Sequence, residues 1–274
     1  MRPQIARPDQ ALERESASPR LVARTESADL EEWSELETVI EPGAEDPSGV
    51  EFQTIGVFFY EGLYLGLLCV QEGYAEERYR RFPRRSEPFP VGSAMLGRCY
   101  VELVYSCDGI AWENTHRPFI DTAPGGLDSG LIWPANAPVQ VDEELWFYYG
   151  MAPHDHALGY VQCPGLAKLR CDGFASMAAG AEPGWLVTPP FTCPGGRLFV
   201  NARAEGGQLS VAVIEEDGMH AVEYAAARCA ALDGDTSAGQ VTWYERQDLD
   251  LLKARQIRLK LYLQRAEIFF YWFG

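Results

Sequence analysis

The chain has 274 residues, of which 47% are hydrophobic and 12% aromatic, and its formal net charge is −17. That length fits one large or two ordinary domains, and the apolar content is sufficient for sizeable cores. The acidic balance excludes nucleic acid and anionic membranes as partners, because both attract basic surfaces. Seven cysteines without a C-x-x-C pair indicate neither a zinc site nor a disulfide framework, so no metal and no cofactor are expected.

Residues 1–20 contain no apolar period and are predicted to form a poorly ordered tail. They also lack the apolar core of a signal peptide, and the chain has no apolar run of about 18 residues that could span a bilayer. The expected location is therefore cytoplasmic, with an exported full-length form as the alternative.

A short polar motif then occurs twice. Ser27–Trp33 and Ser106–Trp112 share the spacing S-x-D-x-x-x-W, and their aspartates are 79 positions apart (108 − 29). Asp29 and Asp108 are expected to accept backbone N–H bonds in a tight turn, and each tryptophan is expected to pack its turn against a neighbouring sheet. Both aspartates are therefore predicted to be structural.

An apolar hairpin follows each motif. The first is Val57–Gly66 and the second is Val139–Gly150. A β-rich unit repeated in tandem is typical of propellers and arrays. Residues 21–183 are therefore predicted to form about two β-propeller blades.

The pattern changes near residue 184. Ile257–Gln264 alternates strictly between apolar and polar residues, which predicts a half-buried strand, and the aromatic run Phe269–Phe273 favours a core strand. Gly206-Gly207 and Asp217-Gly218 are hairpin signals, whereas Leu249–Lys253 is the best candidate for a helical turn. Residues 184–274 are predicted to form a β-sandwich, so the predicted fold class is all-β.

Six stretches in this order carry a family resemblance: Arg24–Leu30, Val57–Gly66, Ser106–Trp112, Leu127–Gly130, Tyr148–Gly150 and Leu169–Phe174. Through them the sequence resembles glycoside-hydrolase-like proteins related to invertases, fructan hydrolases and arabinanase/xylosidase enzymes. Those proteins have a five-bladed β-propeller followed by a β-sandwich. The resemblance runs from about Leu21 onward and implies a carbohydrate ligand, with hydrolysis of furanosides or similar sugars by carboxylate chemistry. The repeated motif is also similar to the aspartate box of sialidases, from which it departs by one residue.

The chain departs from that family in one respect. Two blades fall short of the four or more of closed propellers. The blades that carry the family's nucleophile or base aspartate have no counterpart here. Three interpretations follow: a truncated gene, a second copy or partner chain that completes the propeller, or a non-enzymatic remnant.

Two carboxylates are the candidate catalytic residues, because glycoside hydrolysis uses two carboxyl groups that flank the scissile bond. Glu51 and Asp128 follow the tryptophan of the preceding motif by 18 and 16 positions (51 − 33 and 128 − 112), and each is expected to precede the first strand of its repeat. Glu51, in an apolar setting, is the candidate general acid. Asp128 would orient that acid or bind sugar hydroxyls. The alternative is that both are turn or strand-cap residues.

Phe58, Trp133 and Tyr149 are the candidate sugar-stacking platforms, although aromatic residues in strands more often belong to a core. His154 and His156 do not make a metal site by themselves, so His154 is expected to hydrogen-bond a ligand at the mouth of a pocket. The sequence therefore predicts a carbohydrate-active protein in one of two forms. The first is a glycoside hydrolase or its C-terminal portion, and the second is a non-catalytic binding or assembly module.

Overall fold

The computed structural model describes residues 20–47, 50–73, 97–154 and 162–274. The predicted tail up to residue 19 and the second histidine, His156, lie outside these ranges. The described chain is all-β, as predicted, and its helical turns are short 3-10 segments. They are Val222–Tyr224, Ala226–Arg228 and Asp250–Leu252, the last within the predicted helical turn. In the part of the chain that is described, no helix has the length and apolarity that crossing a membrane requires.

The chain forms two compact units. One comprises Met1–Val139 and Trp146–Lys168, and the other comprises Gln140–Leu145 and Leu169–Gly274. The domain boundary expected between residues 183 and 184 stays a prediction, as does the assignment of the first strands to propeller blades.

The strands of the first unit form one small and one large sheet. Two short strands, β1 and β2, pair antiparallel with each other. The next four, β3 to β6, form an antiparallel meander, and a parallel bridge between Cys99 and Leu131 joins that meander to the strands that follow. The bounds are β1 Val22–Arg24, β2 Glu37–Ile40, β3 Val50–Tyr60, β4 Leu63–Gly73, β5 Gly97–Ser106, β6 Glu113–Ile120, β7 Leu131–Pro134, β8 Val139–Val141, β9 Glu144–Ala152 and β10 Cys163–Arg170.

The meander is buried on both faces. Leu68 and Val70 of β4 pack on one face in a cluster with Ile40 of β2. Cys69, which points the other way, packs in a second cluster with Leu131 of β7. Burial on both faces explains why β4 is an almost continuous apolar run instead of an alternating one.

Both predicted hairpins of the first half are confirmed. β3 and β4 pair as far as Tyr60 and Leu63, and the two residues between them, Glu61 and Gly62, have φ of 45° and 86°. Positive φ at both central positions is the geometry of a type I′ turn, whose twist matches that of the strands. The second hairpin joins β8 to β9 through Asp142, at φ 54°.

The second unit consists of two sheets that share one core. Their orders are β11-β18-β14-β16 and β12-β17-β13, with β15 paired to β17. Leu198 and Val200 of β14 and Leu259 and Leu261 of β17 belong to a single buried cluster, so the two sheets bury their apolar faces against each other. The bounds are β11 Met177–Ala179, β12 Gly184–Val187, β13 Phe191–Thr192, β14 Leu198–Arg203, β15 Gln208–Glu215, β16 Asp235–Val241, β17 Gln256–Gln264 and β18 Ala266–Phe273.

One expectation for this unit was wrong. Gly206-Gly207 does not close a hairpin, because β14 and β15 belong to different sheets and the turn carries the chain from one sheet to the other. The aromatic run does belong to a core strand, as predicted: Tyr271 and Phe273 of β18 pack against the buried cluster, although Phe269–Phe273 is half-buried throughout. The alternation of Ile257–Gln264 and the turn at Asp217-Gly218 are confirmed.

Candidate functional site

The two repeated motifs form the same turn. Asp29 Oδ1 accepts bonds from the N–H groups two and three residues later, at 2.9 Å each, and Asp108 Oδ1 does the same at 2.8 and 2.9 Å. Ser27 and Ser106 donate to these carboxylates at 3.1 and 3.0 Å. The hydrogen bonds from the backbone N–H groups lower the pKa of both aspartates, and the bonds from the serine hydroxyls lower it further. The predicted structural role is confirmed, because each carboxylate is occupied by its own turn.

The two tryptophans differ in their surroundings. Each indole donates to a carbonyl of its own turn, Trp33 to Leu30 at 3.3 Å and Trp112 to Gly109 at 3.2 Å. Trp112 also packs against the apolar cluster that contains Ile40. Trp33 is 54% exposed, so the expected packing is confirmed for Trp112 and wrong for Trp33.

Glu51 lies inside a buried polar network. It is the second residue of β3, which corrects the expectation that it precedes the strand. Its Oε2 is 3.5 Å from Arg20 Nε and 3.3 Å from Gln53 Nε2, and Gln53 also donates to Gln71 at 2.5 Å. Glu51 is therefore the buried acidic partner of an ion pair whose arginine, Arg20, is 39% exposed.

Asp128 lies in the loop before β7, where the chain approaches the end of β9. A Cβ at Gly126 would lie 2.5 Å from Asp128 Oδ1, so the carboxylate occupies the space that a side chain there would fill. Burial and the charge of Asp128 raise the pKa of Tyr149. A Cβ at Gly130 would lie 2.5 Å from the backbone of His154. The loop that carries Asp128 therefore lies against the end of β9, where the Ser129 hydroxyl also donates to the Pro153 carbonyl at 3.3 Å.

Trp133 and Phe58 lie elsewhere. Trp133 pairs with Gly150 whereas Tyr149 pairs with Pro134, and because neighbouring strand residues alternate, Trp133 and Tyr149 point to opposite faces. Trp133 packs against the cluster of Cys69 and Leu131, which favours the core interpretation. Phe58 is half-buried in β3 opposite Leu65.

A row of residues paired across neighbouring strands runs from Glu51 to Leu131, close in sequence to Asp128. Glu51 pairs with Gln71, Gln71 with Cys99, and Cys99 with Leu131, which Asp128 precedes by three positions. Three strand spacings separate Glu51 from Leu131, roughly 14 Å along the sheet. Carboxyl pairs of glycosidases are about 5 to 9.5 Å apart, so the backbones of Glu51 and Leu131 are farther apart than the carboxyl groups of such a pair.

A further polar cluster was not found from the sequence. Asp46, Glu102 and His116 each place one carboxylate or imidazole atom within 4.8 Å of the others. His116 Nδ1 is 3.0 Å from Asp46 Oδ1, and Asn114 Nδ2 donates to Glu102 Oε2 at 2.8 Å. Burial raises the pKa of Glu102 despite the hydrogen bond from Asn114. Three separate segments supply these groups, so no local spacing indicated them.

No protein-family model and no curated protein matches the chain. Among solved structures, one described as a BT0996 RGII complex is 14% identical with a TM-score of 0.34, and the match covers 45% of this chain and 34% of that one. A structure described as a glycoside hydrolase is 13% identical with a TM-score of 0.36, and covers 60% and 41% respectively. The chain thus spans about a third to two fifths of these proteins. At this level of likeness, function has to be argued from the chain's own residues.

Proposed function

We propose that the chain is a carbohydrate-active protein that contacts its sugar ligand through Asp128, Tyr149 and His154. The observation that supports this most directly is that the loop of Asp128, just before β7, packs against the backbone at His154, where β9 ends. A carboxylate and an imidazole exchange hydrogen bonds with sugar hydroxyls, while a phenol ring offers an apolar surface with a polar tip. All three residues are half-buried, so each keeps surface for a ligand.

The non-catalytic form of this proposal has the better support. Hydrolysis requires a carboxyl group that can donate a proton to the glycosidic oxygen. The candidate acid, Glu51, is instead engaged by Arg20 and Gln53, which favour its ionised form over the protonated form that an acid needs. Three exposed apolar side chains close in sequence, Leu30, Trp33 and Leu36, support an assembly role, in which a second copy or a partner chain adds a layer of strands over that turn.

The test combines binding and turnover. Binding of the purified chain to fructan, arabinan and sucrose is measured by calorimetry, and hydrolysis is measured with aryl furanosides and pyranosides. Asp128→Asn is expected to weaken binding about 10- to 100-fold, because it removes a charged hydrogen-bond acceptor. Asp233→Asn, at an exposed aspartate of the second unit, is the matched control and is expected to bind as the original chain does.

The outcomes separate the two forms. Binding without turnover supports the module. Turnover that Glu51→Gln abolishes, while binding is retained, establishes a glycosidase and its acid. If no sugar of the panel binds, or if Asp128→Asn and Asp233→Asn bind equally well, the proposed ligand site is wrong. Light scattering of the same samples tests assembly, since a monomer at all concentrations would count against it.

A further inference from the structure

The cluster of Asp46, Glu102 and His116 combines burial with a mixed set of donor atoms. The Asp46 side chain is 1% exposed and Glu102 is 2% exposed, so both carboxyl groups are shielded from water. His116, the side chain that pairs with Asp46 at 3.0 Å, keeps 30% of its surface exposed. Two buried carboxyl groups this close repel each other when ionised, and a bound cation would relieve that repulsion.

We propose that Asp46, Glu102 and His116 form a binding site for one divalent transition-metal ion, with Zn²⁺ as the representative ion. Each of the three supplies one ligand atom, and these atoms lie within 4.8 Å of one another. Two carboxylate oxygens and an imidazole nitrogen are a donor set suited to Zn²⁺, which is commonly held by three protein ligands and a water. The other imidazole nitrogen, His116 Nε2, lies 3.8 Å from the exposed carboxylate of Glu45.

The residues behind the ligands hold them in place. Asn114 donates from Nδ2 to Glu102 Oε2 at 2.8 Å, and its Oδ1 accepts the backbone N–H of His116 at 3.0 Å. One side chain therefore orients two of the three ligands, as outer-shell groups do in metal sites. On the other side, Asp46 Oδ2 accepts the N–H of Gly43 at 2.7 Å, which leaves Asp46 Oδ1 directed at His116.

A hard cation such as Ca²⁺ is a less suitable occupant of this site than Zn²⁺. Ca²⁺ takes six to eight oxygen ligands, whereas this cluster offers two carboxyl groups and an imidazole nitrogen. The proposal is independent of sugar binding, since none of its three residues belongs to the group of Asp128, Tyr149 and His154.

The test titrates the metal-free chain with Zn²⁺ by calorimetry and with Co²⁺ by visible absorption. We expect one ion per chain, and a Co²⁺ spectrum without the thiolate charge-transfer band that binding at a cysteine would produce. His116→Asn is expected to lower the Zn²⁺ affinity more than about 100-fold, because it removes a direct ligand, which costs more than the 10- to 100-fold loss of an outer-shell group. Asparagine is the chosen replacement because His116 has φ 50°, a conformation that asparagine adopts readily.

Two further variants complete the design. Glu102→Gln keeps an oxygen for the Asn114 bond but loses the charge, and is also expected to lose the ion. His220→Ala removes an exposed histidine of the second unit and is expected to bind Zn²⁺ unchanged. The proposal is overturned if the original chain shows no saturable binding of one ion, if binding carries a thiolate spectrum, or if His116→Asn binds as tightly as His220→Ala does.

Discussion

At the scale of single residues, the two S-x-D-x-x-x-W turns allow a direct comparison of two residues in the same backbone conformation. Their hydrogen bonds are the same, yet the residue after the aspartate is Leu30 in one turn and Gly109 in the other. Both have positive φ, 67° and 75° respectively. A side chain in that region costs about 1–2 kcal/mol, which glycine avoids. The first turn is therefore strained where the second is relaxed.

Single substitutions at these two positions should change the free energy of unfolding in opposite directions. Leu30 is 77% exposed, so Leu30→Gly loses little packing and should stabilise the chain by about 0.5–1 kcal/mol after the entropy cost of glycine. Gly109→Ala should destabilise it by about the same amount. A Cβ there would lie no closer than 3.8 Å to Tyr64, so the cost comes from the positive φ and not from a steric clash. Urea midpoints measure both. Equal midpoints for all three proteins would show that the turn carries no strain.

At the scale of elements, the strands packed against Trp112 determine how much this side chain contributes to the stability of the fold. Trp112 packs on the cluster that Ile40 of β2 shares with Leu68 of β4, whereas Trp33 is 54% exposed. Trp112→Ala should therefore destabilise the chain by about 2–3 kcal/mol, and Trp33→Ala by less than about 1 kcal/mol. Each variant is the other's control, since both lose an indole that bonds its own turn. Similar urea midpoints for the two variants would contradict the difference in packing.

The same scale shows what the sequence could predict. Period-two alternation and the motif spacing are local, so strands such as β17 and the turns at Asp29 and Asp108 were predictable. The partners of a strand are not local. Gly206-Gly207 looks like a hairpin, yet β14 and β15 enter different sheets because each finds its pairs far along the chain.

The candidate sites follow the same rule. Asp128, Tyr149 and His154 were named from the sequence, and their role as ligand-binding residues stays a prediction. Asp46 and Glu102 are 56 positions apart (102 − 46), and the bulged pairing of β5 with β6 decides that His116 meets them. The pairing of Glu51 with Arg20 in an ion pair is equally non-local. Spacing alone could not have assigned either.

At the scale of the whole molecule, the two units have separate cores. Leu68 belongs to a cluster of the first unit and Leu259 to the cluster of the second, and no residue is shared between these clusters. The chain nevertheless passes between the units after Val139, Leu145 and Lys168. Separate cores favour two unfolding transitions, while three passages favour coupling between them.

We expect the separation of the two cores to outweigh the coupling by the three chain passages, so differential scanning calorimetry should resolve two unfolding transitions. Leu68→Ala and Leu259→Ala each empty a fully buried position, which costs about 2–5 kcal/mol. Each should therefore lower one transition by several degrees, a different one for each variant, and leave the other nearly in place. Leu251→Ala, at an exposed leucine of the second unit, is the control and should shift neither. If both core variants lower one common transition by similar amounts, the chain unfolds as a single cooperative unit and the expectation of two transitions is wrong.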